Sequence, residues 1–128
     1  MSTWLSKEWF DETRPLWSGI ALPFDLSARL QYEITGGPER VVATYWVLGD
    51  GRLLDSGPGV VADPDTTITI AWDDAQSIER GELDPSVAFM QGRLKVAGSM
   101  APVVALLPAT RTNDGHDLRR RIAAVTDF

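Results

Sequence analysis

The sequence contains no cysteine, one histidine (His116) and one asparagine (Asn113). The lack of cysteine excludes thiol catalysis, disulfide bridges and thiolate metal sites, and it suits a reducing cytoplasm. A single histidine leaves few ways to perform acid–base catalysis near neutral pH. Asp114 and Asp117 lie nearby in the sequence, but a catalytic triad also needs a serine brought close in space. We therefore interpret His116 as a solvated helix residue.

Basic residues and long apolar runs are also scarce. Lysine and arginine number 12 against 18 acidic residues, a formal net charge of −6, so we expect no nucleic-acid partner. No apolar run approaches the roughly 20 residues that a membrane span requires. Met1–Phe10 lacks the basic-then-apolar pattern of a secretory signal. We expect a cytoplasmic location and no transmembrane segment.

Motifs for catalysis and metal binding are missing as well. The sequence has no Gly-x-Ser-x-Gly elbow and no phosphate-binding loop. Its acidic clusters, among them Asp73–Asp74 and the group Glu79, Glu82 and Asp84, are explained by helix capping and solvation. We expect no metal, no cofactor, no catalytic residue and no enzymatic activity. A small isomerase or hydrolase that uses a carboxylate remains the weakest alternative.

The residues that are present indicate one α+β domain over residues 1–128. Alternating apolar and polar residues predict strands with one face toward a core and the other toward solvent. The residues expected to face solvent are Gln31, Glu33, Thr67, Thr69, Arg93 and Lys95. Asp50–Gly51 is a hairpin signal, which favours a largely antiparallel sheet. The predicted strands are Leu30–Ile34, Val41–Leu48, Arg52–Asp55, Thr66–Trp72 and Arg93–Ala97.

Capping residues, glycine and proline predict the helices. The first helix is capped by Ser6 and interrupted at Pro15, and a connection follows over Trp17–Pro23. The second has an Asp73–Gln76 capping box and a closing Gly81, and the third lies between Asp84 and Gly92. The fourth runs from Ser99 to a stop at Pro108, and the fifth opens at Asn113 or Asp114. The last helix carries an apolar stripe at Leu118, Ile122 and Val125. We divide the chain into an aromatic-rich N-terminal part (1–27), a core (28–110) and a C-terminal helix (111–128).

The helices over 85–91 and 100–107 are apolar on too many sides for simple surface helices. Two interpretations follow: a buried core, or the wall of a cavity with methionine as an adaptable lining. The five tryptophans fit either a core or a pocket for an apolar guest. Arg119–Arg121 leave transient contact with an anionic lipid surface as an alternative to a solvated helix end.

The segment 81–107 resembles the signature of the sterol carrier protein 2 family. The family pattern runs Gly-x-Leu-Asp-Pro, then Ala-Phe-x-x-Gly-Lys/Arg-Leu-Lys, then Gly-x-Met. The matching residues are Gly81, Leu83, Asp84, Pro85, Ala88, Phe89, Gly92, Leu94, Lys95, Gly98 and Met100. The resemblance implies a five-stranded, mainly antiparallel sheet covered on one face by helices, with an apolar tunnel between them.

The resemblance also implies non-catalytic binding or carriage of a sterol, fatty acid or fatty acyl-CoA. An accessory domain with a collapsed cavity, serving an enzyme of steroid or acyl-chain metabolism through a protein partner, is the alternative. On the first hypothesis, the ligand-binding residues are Trp46, Ile68, Ile70, Trp72, Phe89, Met90, Gln91, Met100, Val103, Val104 and Leu107.

Overall fold

The computed structural model describes residues 1–20, 22–23, 25–38 and 40–128. Ala21, which falls within the predicted connection, lies outside the described residues, as do Phe24 and Glu39. In chain order the elements are β1 (Ser2–Thr3), α1 (Lys7–Thr13), a 3₁₀ helix (Arg14–Gly19), β2 (Ala28–Gly37), β3 (Arg40–Gly49), β4 (Arg52–Pro58), β5 (Thr66–Ala71), α2 (Trp72–Glu79), α3 (Pro85–Met90), β6 (Leu94–Gly98), α4 (Ala101–Thr110), α5 (Asn113–Ala124) and β7 (Thr126–Asp127).

Strands β2 to β6 form one sheet in the order β4-β3-β2-β5-β6. β2 pairs antiparallel with β3 and parallel with β5, and the two outer pairs are antiparallel. The parallel pair arises because the connection after β4 carries the chain past β3 to the far side of β2. The prediction of an α+β fold with a five-stranded, mainly antiparallel sheet is confirmed.

The predicted core face of the sheet is confirmed, but its opposite face is not uniformly exposed. Leu30, Ile34 and Ile70 are buried as expected. Gln31 was expected to face solvent, and this is wrong, because only 4% of its surface is exposed. Its Nε2 donates to the carbonyl oxygens of Thr44 (2.9 Å) and Gly59 (3.1 Å), and its Oε1 accepts from the amide of Val61 (2.8 Å). The amide thus fastens the β4–β5 connection over this face of the sheet.

Several predicted caps are confirmed. Ser6 Oγ accepts from the amide of Trp9 at 3.2 Å, and the Asp84 carboxylate accepts from the amide of Ser86 at 2.8 Å. Gly81 follows the C-cap of α2 in the left-handed conformation, with a φ of +78°.

Two predicted helix boundaries are wrong. α2 begins at Trp72 with Ala71 as N-cap, so Asp73 lies inside the first turn and caps nothing. α4 continues through Pro108 to Thr110. Proline has no N–H, so Pro108 cannot donate to the carbonyl oxygen of Val104, four residues earlier. Both residues are exposed. α5 begins at Asn113, as predicted, and Thr112 caps it by accepting from the amide of Gly115 at 3.0 Å.

Both ends of the described chain meet beside the main sheet. β1 and β7 pair in parallel, and Trp9 Nε1 donates to Thr126 Oγ1 at 2.8 Å in a buried position. Trp4 packs between Trp72 and Phe128, with ring centroids 4.8 Å and 5.9 Å away. The N-terminal tryptophans are therefore part of the main hydrophobic core. Among the described residues, no helix combines the length and apolar character needed to cross a membrane.

Candidate functional site

A cavity of about 170 Å³ lies between the core face of the sheet and helices α2, α4 and α5. Its floor consists of alternate residues of neighbouring strands, because every second side chain of a strand points to the same face. Its roof consists of helix residues spaced three or four apart. The floor includes Leu30, Ile34, Trp46, Leu48, Ile68, Ile70 and Leu94, and the roof includes Ile78, Val103, Leu106, Leu107, Leu118 and Ile122.

The N-terminal segment closes one side of the cavity through Trp4, Leu5, Trp17 and Ile20. α4 packs chiefly against α3 and α5 rather than on the sheet, which leaves the space beneath it. The close approach of α4 and α5 depends on Gly115, where a Cβ atom would lie 2.2 Å from the Ala109 carbonyl oxygen.

Four side chains that carry a hydroxyl or a charge line this apolar wall. The Thr110 hydroxyl donates to a carbonyl oxygen of its own helix, α4. The other three are Tyr32 from β2, Glu79 from the end of α2, and Arg119 from α5. Arg119 Nη1 donates to the carbonyl oxygen of Ile78 at 2.5 Å. A cation at this position also interacts favourably with the C-terminal end of the α2 dipole. The guanidinium is thereby held at the cavity wall beside Glu79.

Burial governs the protonation of this cluster. Burial raises the pKa of Glu79, and the positive charge of Arg119 opposes the increase. Burial, followed by the negative charge of Glu79, raises the pKa of Tyr32 to about 12, again opposed by Arg119. Tyr32 is therefore a neutral hydroxyl at physiological pH, able both to donate and to accept a hydrogen bond.

The model of the SCP-2 sterol transfer family matches residues 24–107 of this sequence. The chain belongs to this family. Sterol carrier protein 2 of Oryctolagus cuniculus is 35% identical over 79 residues, which cover 59% of this chain and 14% of that protein. The human protein is 34% identical over 79 residues, with the same coverage of each chain. The chain therefore matches 14% of the length of these curated relatives.

Solved structures share the fold of this sterol transfer family member. A conserved hypothetical protein of Thermus thermophilus superposes with a TM-score of 0.72 at 17% identity, covering 94% of this chain and 92% of that one. Palmitated sterol carrier protein 2-like 2 of Aedes aegypti gives a TM-score of 0.67 at 18% identity, covering 83% of this chain and 94% of that one. At these identities the likeness concerns the fold.

The cavity of this family member contains five of the eleven residues predicted to bind ligand: Trp46, Ile68, Ile70, Val103 and Leu107. Trp72 and Phe89 pack against the main core without lining the cavity. Met90, Val104 and Met100 are 83%, 64% and 41% exposed, and Gln91 is also exposed. Met90 and Val104 lie on the outward sides of α3 and α4, because only one side of each helix can meet the core, and Gln91 and Met100 flank these helices.

The polar cluster is not evident from the sequence. Glu79 was attributed to solvation and Arg119 to a solvated or lipid-facing helix end, yet both line the cavity. Arg120 and Arg121 instead contact Asp117, at 3.4 Å and 2.9 Å. Helix spacing could have indicated that Glu79 faces the core. Glu79 directly follows Ile78 and lies one turn after Ala75, and both of these residues are buried.

Proposed function

We propose that this protein binds an apolar lipid, such as a fatty acid or a sterol, in the cavity beneath α4 and α5 and performs no chemistry on it. The observation that carries the proposal is the cavity wall, which is apolar apart from a small polar cluster. A lipid tail gains about 0.8 kcal/mol for each methylene that leaves water. An apolar site of this kind can therefore hold a lipid without any catalytic group.

Relatives support the same class of ligand. The family is described as a sterol transfer family, and the solved Aedes aegypti relative is palmitated. Membership of that family makes lipid binding the expected activity of this chain, and the apolar wall gives that activity a physical basis.

The size of the cavity bears on how a lipid enters. An engineered cavity of about 150 Å³ in another protein binds one benzene ring, so about 170 Å³ accommodates only part of a long-chain lipid. We expect the cavity to widen into a tunnel when a complete ligand is bound. α4 is the wall best placed to move, because it packs on α3 and α5 and presents Val104 to solvent.

A pair of adjacent substitutions tests the proposal. Val103 is buried and lines the cavity, whereas Val104 on the same helix is 64% exposed. In Val103→Trp the indole fills the space that a lipid tail requires, and we expect about tenfold weaker binding of a fluorescent fatty acid by delipidated protein. Val104→Trp makes the same chemical change outside the cavity and should bind within about twofold of the unsubstituted protein.

Circular dichroism and thermal unfolding of both variants establish that they remain folded, since overpacking a core costs about 1–3 kcal/mol. Equal affinities of the two variants would place the binding site elsewhere. Native mass spectrometry of gently purified protein provides an independent measurement, in which a co-purified lipid mass is expected. Absence of lipid binding together with a co-purified protein would instead favour the accessory-domain alternative.

A further inference from the structure

The polar cluster in the cavity wall, formed by Tyr32, Glu79 and Arg119, has unused hydrogen-bonding capacity. Arg119 carries five N–H donors and uses one of them on the Ile78 carbonyl oxygen. Within the described part of the chain, the side chains of Glu79 and Tyr32 form no hydrogen bond, and Glu79 and Arg119 form no ion pair with each other. The cluster thus presents an acceptor, a donor and a hydroxyl to the same cavity.

A bound lipid changes the environment of these groups. Its tail displaces water from the cavity, and each buried polar group left without a partner then opposes binding. A matching ligand must therefore bring a donor for the Glu79 carboxylate and an acceptor for the Arg119 guanidinium. A hydroxyl group supplies both, because it has one O–H and two lone pairs.

An ionised carboxylate fits the cluster less well. It offers acceptors for Arg119 and Tyr32 but no donor for Glu79, and it brings a second negative charge to the same wall. Arg119 cannot neutralise two carboxylates. These requirements match a neutral hydroxyl better than an ionised acid.

We propose that Tyr32, Glu79 and Arg119 form a head-group subsite that selects a long-chain lipid ending in a neutral hydroxyl over one ending in an ionised carboxylate. This inference rests on the proposed lipid-binding function. In this arrangement Arg119 and Tyr32 each donate to one lone pair of the ligand oxygen, the ligand hydroxyl donates to Glu79, and the apolar wall holds the tail.

Two probes with one tail test the selection: a fluorescent conjugated-tetraene fatty acid and the primary alcohol with the same chain. Affinities are measured at about pH 8, where ordinary carboxyl groups are ionised. Glu79→Gln removes the negative charge and keeps the shape of the side chain. We expect this variant to raise the affinity for the acid relative to the alcohol by about tenfold over the unsubstituted protein.

Glu82→Gln is the matched control, because Glu82 is exposed, lies three residues further on and does not line the cavity. It should leave the acid-to-alcohol ratio unchanged. If Glu79→Gln does not fold, Tyr32→Phe replaces it; this variant should weaken the alcohol several-fold and leave the hydrocarbon with the same tail unaffected.

The outcomes separate this inference from the proposed function. If neither probe binds to any form of the protein, the lipid-binding proposal itself fails. If both probes bind and the ratio is the same in Glu79→Gln and the unsubstituted protein, lipid binding stands and the head-group subsite is refuted. The subsite would also be refuted if Glu82→Gln changed the acid-to-alcohol affinity ratio as much as Glu79→Gln does. The effect would then follow from the net charge of the protein.

Discussion

Glu79 is a carboxylate placed among groups that disfavour its charge. It lies at the end of α2, next to the buried Ile78, and shares the cavity wall with aliphatic side chains. Tyr32 and Arg119 line the same cavity and affect the Glu79 carboxylate in different ways. Tyr32 carries no charge at neutral pH, and Arg119 only partly offsets the desolvation.

The raised pKa of Glu79 makes stability depend on pH. Because burial raises this pKa above its ordinary value of 4.5, the folded state binds the proton more tightly than the unfolded state does. The contribution of protonated Glu79 to the free energy of unfolding is therefore complete at pH values below the ordinary pKa. This contribution is lost as the pH rises through the raised pKa. We therefore expect Glu79→Gln to become progressively more stable than the unsubstituted protein as the pH rises.

Urea unfolding at pH values between about 4 and 8 measures this difference. Glu82→Gln is again the control, because Glu82 is exposed. The free energy of unfolding of this control should follow that of the unsubstituted protein. A constant difference between Glu79→Gln and the unsubstituted protein across this range would contradict the expected protonation.

Single residues also show where sequence reasoning succeeds and where it stops. Alternation alone places Leu30, Ile34 and Ile70 on the core face, because it depends only on strand geometry. The burial of Gln31 depends on the β4–β5 connection, whose Gly59 and Val61 bind its amide from 28 and 30 residues away. No local pattern carries that information.

At the level of elements, α4 and α5 approach each other closely at a junction beside the cavity. A Cβ atom on Gly115 would meet the Ala109 carbonyl oxygen at 2.2 Å and backbone atoms of Thr110 at 3.1 Å. Gly115 is also the residue whose amide the Thr112 hydroxyl caps. The two helices can therefore approach each other only because this position has no side chain.

We expect Gly115→Ala to lower the free energy of unfolding by about 2–4 kcal/mol, because the methyl group forces the helices apart. Alanine would otherwise favour a helix over glycine by about 1 kcal/mol, so the predicted sign is opposite to that of helix propensity. Gly19→Ala is the control, since Gly19 is exposed and a Cβ atom there meets nothing within 4 Å. Urea denaturation distinguishes the two variants, and equal stabilities would show that the junction tolerates a side chain.

The sequence allowed the type and order of the elements to be predicted better than their ends. All five strands of the sheet were expected, and the caps Ser6 and Asp84 were identified from their residue types. The chemistry of proline alone predicts that α4 stops at Pro108. The helix continues through this residue because the turn that contains it is exposed to solvent. The outward direction of Met90 and Val104 likewise depends on how short helices are rotated against the core.

At the scale of the whole molecule, Trp9 and Thr126 join segments from the two ends of the chain. Trp9 Nε1 donates to Thr126 Oγ1, and that hydroxyl in turn donates to the carbonyl oxygen of Ile122. Both residues are buried. Replacing the hydroxyl therefore leaves a buried indole N–H without an acceptor.

We expect Thr126→Val to lower stability by about 1–3 kcal/mol, the cost of an unsatisfied buried donor. Thr126→Ser keeps the hydroxyl and should lose less. Thermal unfolding followed by circular dichroism compares the two variants. Equal midpoints would contradict this expectation, because loss of the methyl group would then cost as much stability as loss of the hydrogen bond.

The overall topology was only partly predictable. Grouped strands and helices indicate an α+β fold, but the parallel pairing of β2 with β5 joins Leu30 to Thr66, 36 residues apart. Local periodicity cannot specify which strands become neighbours across such a distance. The resemblance of residues 81–107 to a known family implied a five-stranded, mainly antiparallel sheet, but it did not predict which strands form the parallel pair.

The wall of the cavity draws on side chains from Trp4 to Ile122. During synthesis the β2–β3–β4 meander can form early, because its contacts are close in sequence. The space beneath α4 exists only after α5 has left the ribosome and settled beside the N-terminal tryptophans. A nascent chain therefore exposes the apolar lining to water until α5 has been synthesised, and this transient exposure favours aggregation over folding.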